Sequence, residues 1–163
     1  MEAVRAANGD DVDRISELVA AAIAELSPMK GGAVWAAREA RQPPYIERLA
    51  REVADTDHRV VVGTIDDVVV GYGVGRVEPM ANGRTLGVVD DIFVEEGGRA
   101  IGVGEAMLDD LVAWLEARGV VGIDALALPG HRAAKNFFEG AGFTARRLVM
   151  HRPTGGRRPG GRP

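Results

Sequence analysis

Apolar residues recur at helical spacing over residues 12–26, where Val12, Ile15, Leu18, Val19, Ala22, Ile23 and Leu26 share one face. Asn8-Gly9-Asp10 stands before this stretch as a turn able to cap it. A short strand is predicted over residues 2–6. Two further helical stretches are predicted over 33–40 and 46–54, separated by Gln42-Pro43-Pro44. The pattern then becomes strand-like. Residues 58–65 (HRVVVGTI) end at Asp66-Asp67, residues 68–77 end near Ala81-Asn82-Gly83, and residues 84–94 (RTLGVVDDIFV) complete an antiparallel meander. Helical spacing returns over 102–117, with Met107, Leu108, Leu111, Val112 and Leu115 as its buried stripe and Arg118-Gly119 as its stop. A strand over 121–128, reached by a helical crossover, should run parallel to the strand before it. A short helix over 132–140 and a last strand over 143–151 close the pattern. The order β-α-α-α-β-β-β-α-β-α-β describes an α/β domain with a mixed, mostly antiparallel sheet covered by helices on both faces.

The chain has 163 residues, which suits one domain over residues 1–151. Residues 152–163 (RPTGGRRPGGRP) carry four arginines and no acid, a composition that predicts a disordered tail. With an overall net charge of −4, the domain itself carries −8, which argues against nucleic acid as a partner. There are no cysteines, and the three histidines lie far apart in sequence, so no metal site is expected. The start of the chain lacks the pattern of a signal peptide and no apolar run approaches the ~20 residues of a membrane span. A cytoplasmic protein that works away from membranes is the expectation.

The stretch Arg99-Ala100-Ile101-Gly102-Val103-Gly104 places glycines where a helix begins. The first N–H groups of a helix have no internal partner, and the macrodipole adds roughly half a positive charge there. Glycines let a ligand approach that backbone, so the junction suits a pyrophosphate, with Arg99 as an added charge. Glu105, just inside the helix, is expected to point away. Gly71-Tyr72-Gly73-Val74-Gly75 superficially resembles a dinucleotide loop but leads into no helix, so it reads as a strand of small residues.

Arg99-x-x-Gly102-x-Gly104 after a strand ending DIFV matches the [QR]-x-x-G-x-[GA] motif of the GCN5-related N-acetyltransferases (GNAT). Residues 131–143, HRAAKNFFEGAGF, resemble that family's second signature, N-x-x-A-x-x-F-Y-E-x-x-G-F, and the resemblance covers residues 1–151. It implies an N-acetyltransferase that moves an acetyl group from acetyl-CoA to a small-molecule or peptide amine by direct attack within a ternary complex. It also implies a wedge between two splayed parallel strands. There the backbone of Ile92, Phe93 and Val94 would pair with the pantetheine arm. Amides of Arg99, Ala100, Ile101, Gly102, Val103 and Gly104 would hold the pyrophosphate.

By the same resemblance His131, Lys135, Asn136 and Phe138 lie toward the cofactor, and residues 27–45 form the acceptor wall. His131, at the motif's asparagine position, and Lys135 read equally as solvated helix residues. Asp90 and Asp91 are the candidate bases. Side chains alternate along a strand, so one of the two should face the site, with Asp91 the better match. Phe138 departs from the family, because many relatives carry there a tyrosine that protonates the departing thiolate. That departure sustains an alternative, a non-catalytic acyl-CoA-binding or regulatory module on the same fold. Trp35 and Trp114 read as core or interface residues. Many relatives dimerise, and the chain leaves that open.

Overall fold

Asn8 starts the first helix as its pattern suggested. Its side chain accepts from the Asp10 amide, while Asp11 accepts from the Asn8 amide and holds Arg5 of the first strand through two hydrogen bonds. The computed structural model describes residues 1–155. The elements are β1 (Glu2–Ala6), α1 (Val12–Leu26), α2 (Gly32–Arg38), α3 (Tyr45–Ala54), β2 (His58–Ile65), β3 (Val68–Pro79), β4 (Thr85–Val94), α4 (Val103–Ala117), β5 (Ile123–Ala125) and α5 (Arg132–Gly140). The five strands form one sheet in the order β1-β2-β3-β4-β5, antiparallel except for the parallel β4–β5 pair. This is the expected mixed α/β sheet.

Strand alternation divides the core in two. Val60 and Val62 of β2 and Tyr72 and Val74 of β3 meet α1 and α3 through Ile15, Leu18, Val19 and Leu49. On the other face Val61, Val70 and Val89 meet α4 through Val103, Met107, Leu108, Leu111 and Leu115. Each fully buried side chain of this kind contributes about 1.5–3 kcal/mol. The glycines of β3 belong to the second contact. A Cβ on Gly71 would stand 2.8 Å from the Phe93 carbonyl oxygen, and one on Gly73 would stand 3.0 Å from a Leu111 methyl. The small residues bring α4 close to the sheet, as their reading as plain strand requires. Paired charges fix the relative placement: Arg59 of β2 holds Asp110 of α4 at 2.8 and 2.9 Å, and Arg14 of α1 holds Glu95 just after β4. Such half-exposed pairs add at most about 1 kcal/mol each.

Two expected strands differ. The predicted strand over 121–128 shortens to Ile123–Ala125, because β4 stays beside it only from Gly87 to Val89. The predicted strand over 143–151 does not form a ladder. Its natural template, β5, offers only three residues, and the segment is attached instead by the Arg146–Asp124 ion pair and by Phe143 against Phe138. Leu148, Val149 and Met150 are consequently exposed. The expected tail lies from residue 156 onward outside the described residues, and residues 152–155 are exposed.

A Cβ on Gly63 would meet a Val103 methyl at 2.3 Å and the Met107 sulfur at 3.1 Å. Gly63→Ala is therefore expected to destabilise the fold by about 1–3 kcal/mol. Urea unfolding should show a lower midpoint with the slope unchanged, and an unchanged midpoint would mean that α4 does not pack this closely.

Candidate active site

Beyond Val89 and Ala125 the parallel strands separate, and a cavity of about 580 Å³ opens between Asp90–Val94 and residues 126–128. The departure has a local cause. Val74 of β3 opposes Asp91 and Gly75 opposes Val89, which leaves Asp90 without a partner at a β-bulge. A bulge bends and twists its strand, and this one sits where the pairing to β5 stops. It also interrupts the alternation of faces. Both Asp90 and Asp91 line the cavity, correcting the expectation that one alone would.

At the other end the chain leaves β4, makes a 3-10 turn and enters α4. Gly102 precedes the helix at φ +85° with no side-chain cap, so the amides of Val103, Gly104 and Glu105 lack intrahelical partners. Ala100 holds φ +66°, a left-handed conformation that costs a non-glycine residue about 1–2 kcal/mol. Arg99 anchors this strained turn. Its Nε donates to the Val94 carbonyl at 2.8 Å, and its two Nη groups donate to Glu25 of α1 at 2.8 and 2.6 Å. The charge assigned from the sequence to an anion is thus paired with Glu25, while Arg99 still lines the cavity. Gly104 lines the cavity. A Cβ there would lie 3.5 Å from Phe137, in ordinary contact. Glu105, whose amide is one of the open ones in the first turn of α4, borders the cavity as well.

The structure brings together Asp90, Asp91, Ile92, Phe93, Val94, Arg99, Ala100, Gly104, His131, Asn136 and Phe138 around one space. Lys135 is not among them; it points outward toward Glu139 at 3.5 Å, one helical turn on. The Ile101 side chain is exposed, and that of Val103 is core, so these two offer only backbone to the site. Phe138 is buried between the rings of Phe137 and Phe143, with centroids 5.2 and 5.4 Å away, and presents no hydroxyl.

Three residues of the wall had no individual role from the sequence, Trp35 and Arg41 within the expected acceptor wall and Tyr72 outside it. Trp35 of α2 lines the cavity rather than the core. Tyr72 of β3 lines it from beneath, opposite Phe93 in the ladder, and burial pushes its phenol well above the ordinary range, so it keeps its proton. Arg41, from the segment expected to form the acceptor wall, donates from Nε to Asp91 at 2.5 Å and lies 2.7 Å from Glu52 through Nη2. No sequence signal marks these pairs, since residues 41, 52 and 91 belong to separate elements. Burial raises both aspartyl groups above the usual carboxylate range, opposed at Asp91 by Arg41 and at Asp90 by Arg76.

Uncapped helix amides at one end of a strand-lined slot and two raised carboxyl groups at the other suit a long anionic ligand with a reactive end between the aspartates. Known structures share this architecture. A mutant of the BH1408 protein from Bacillus halodurans superposes with a TM-score of 0.77 at 18% identity, covering 93% of this chain and 98% of its own. A ribosomal-protein-alanine N-acetyltransferase from Brucella melitensis gives 0.68 at 17% identity, over 95% of this chain and 100% of its own. An aminoglycoside acetyltransferase, meta-AAC0020 from an uncultured soil metagenomic sample, in complex with sisomicin, gives 0.66 at 16% identity, over 96% and 97%. No curated protein matches the sequence. The model of the Acetyltransferase (GNAT) family matches residues 19–143, a span that contains β4, the glycine turn and α5. By that match, over most of its length and through the elements that build the cavity, the chain belongs to the GNAT family of acetyltransferases.

Proposed function

We propose that this acetyltransferase is an acetyl-CoA-dependent N-acetyltransferase, joining an amine to the acetyl group by direct attack within a ternary complex. The observation that carries the reading is the slot itself: β4 freed from β5 beyond Val89, with uncapped α4 amides at one end and Asp90 and Asp91 at the other. The freed edge of Ile92, Phe93 and Val94 suits the amide-bearing arm of acetyl-CoA. Amides from Ala100 to Gly104 suit its pyrophosphate, with His131 and Asn136 on the facing wall. When bound, acetyl-CoA supplies an activated acetyl thioester. A cytoplasmic setting and metal-free chemistry belong to the same reading.

The chain's own work is to prepare the amine and to keep protons in place. A lysine-like amine is only about one part in a thousand neutral at pH 7.4. A carboxylate that accepts its proton, directly or through water, contributes about 10²- to 10⁴-fold. Burial lifts Asp90 and Asp91 toward the operating pH, where such a base works best. Phe138 holds no proton. The Tyr72 hydroxyl does, and in this reading it is the donor near the departing sulfur. Trp35, Ala40 and Arg41 form the acceptor side of the wall. The non-catalytic reading keeps one observation in its favour, the buried Phe138, and predicts cofactor binding without turnover.

A panel of small amines, aminosugars and peptides incubated with acetyl-CoA should show thiol release with at least one class. Tight acetyl-CoA binding without release across the panel would favour the binding module.

Gly104→Val is expected to weaken acetyl-CoA binding at least about tenfold. The first added carbon fits against Phe137 and Val94, but the branch extends into the space where the helix amides lie open. Calorimetry on the folded variant gives the answer, and unchanged affinity would remove the pyrophosphate from this turn.

Tyr72→Phe should leave the melting temperature near that of the wild type and lower kcat about tenfold. An unchanged kcat would assign protonation of the sulfur to water.

A further inference from the structure

The two aspartates are held by different partners. Asp91 accepts from Arg41 Nε at 2.5 Å, and Arg41 is itself clamped by Glu52 of α3, with side-chain exposures of only 6% and 7%. Among the described residues, buried Arg41 Nη1 has no hydrogen-bond partner, and Glu52 is further contacted by Arg48. Asp90 is held by Arg76 of β3 at 2.9 Å, but Arg76 is 32% exposed and shares its charge with Glu78. A guanidinium that reaches solvent can turn away from its carboxylate at little cost, because water replaces the lost bonds. One sealed beneath α3 cannot.

We infer that the two aspartates divide the work: Asp90 accepts the amine's proton, while Arg41 is a positioning residue that fixes Asp91 as a bound anion and ties the acceptor wall to β4. The inference rests on the acetyltransferase reading and specifies its base. An N–H bond of the acceptor ammonium breaks, and its proton passes to an Asp90 oxygen directly or through water. The freed nitrogen lone pair forms the bond to the acetyl carbon as the carbon–sulfur bond breaks, the departing thiolate takes a proton from the Tyr72 hydroxyl, and the new amide nitrogen gives up its remaining extra proton to water. Both faces of the pair enter the argument. Around Asp91 stand Arg41, Asp90, Glu52 and Tyr72. Around Asp90 stand Arg76, which is itself paired with Glu78, and the neighbouring Asp91, with Arg41 and Glu52 also acting on it. Arg41 therefore also lowers the proton affinity of Asp90, and removing it should be visible there.

Activity as a function of pH tests the division. In the wild type, kcat/KM should rise with pH as Asp90 loses its proton. Asp90→Asn should abolish that acid limb and lower kcat by about 10²-fold or more. Arg41→Gln should move the limb upward by about one pH unit, and Arg41→Lys should return it toward the wild-type position. A limb that survives in Asp90→Asn, or that stays in place in a folded Arg41→Gln protein, overturns the inference. Arg41→Gln leaves Asp91 and Glu52 without their cation and risks unfolding. The triple variant Arg41→Gln/Glu52→Gln/Asp91→Asn replaces all three buried charges by neutral amides. It should fold, keep an acid limb and lose no more than about tenfold in kcat, whereas loss of the limb would make Asp91 the base.

A second measurement is independent of turnover. Carbon-13 titration of the aspartyl carboxyl groups in the wild-type protein should show Asp90 keeping its proton to higher pH than Asp91. The reverse order overturns the assignment. A wild-type protein that releases no thiol with any amine would refute the acetyltransferase reading, and the order of titration would still decide the roles of the two carboxyl groups.

Discussion

The bulge at Asp90 is the constraint on which the site depends. β4 keeps its ladder with β3 on both sides of the bulge, but a regular β4 would also remain alongside β5, and the sheet would be closed where the cavity now opens. The extra residue bends the strand immediately after Val89, the last position paired to Ala125. One irregularity therefore frees a strand edge, makes the slot and places two carboxyl groups on its wall. The cost is a short β5, and the weak template it leaves is why the segment after Phe143 runs beside the sheet without joining it.

The helix that completes the slot is placed by the opposite device, an absence of side chains. Gly63, Gly71 and Gly73 admit α4 so closely that a Cβ on any of them would meet a side chain or carbonyl at 3.0 Å or less. This fixes the height of α4 over the sheet and thereby the position of its open amides at the end of β4. Arg99 then secures the turn between them, bonding to the last carbonyl of β4 and to Glu25 of α1. The left-handed Ala100 is tolerable because the turn is held on both sides.

Much of this was legible in the sequence because it is local. The helix stripes, the meander, the Asn8 cap and the glycine junction each depend on residues close together in the chain, and each lies where its pattern put it. What was not legible depends on pairings across the fold. The bulge arises from register between β3 and β4, and alternation alone sends Asp90 and Asp91 to opposite faces. The partner of Arg99, Glu25, lies 74 positions earlier. Arg41 and Asp91 are 50 positions apart and join only after α3 packs against the sheet. The β-propensity of Leu148-Val149-Met150 is real, but a strand also needs an edge long enough to pair with.

The same distinction governs the charges. Of the carboxylates lining the cavity, Glu25, Asp90 and Asp91 each face an arginine contributed by a different element. The net charge of the chain therefore says little about the field an acceptor meets. That field is set by how firmly each arginine is held, and firmness follows burial: Arg41 is sealed under α3, while Arg76 and Arg99 retain contact with water. In a low-dielectric wall a pair that cannot relax acts as a fixed dipole, whereas a pair at the rim can exchange partners as an ammonium group arrives. A site built from paired charges can thus admit a cationic amine without ever burying an isolated anion, whose desolvation alone would cost several kcal/mol.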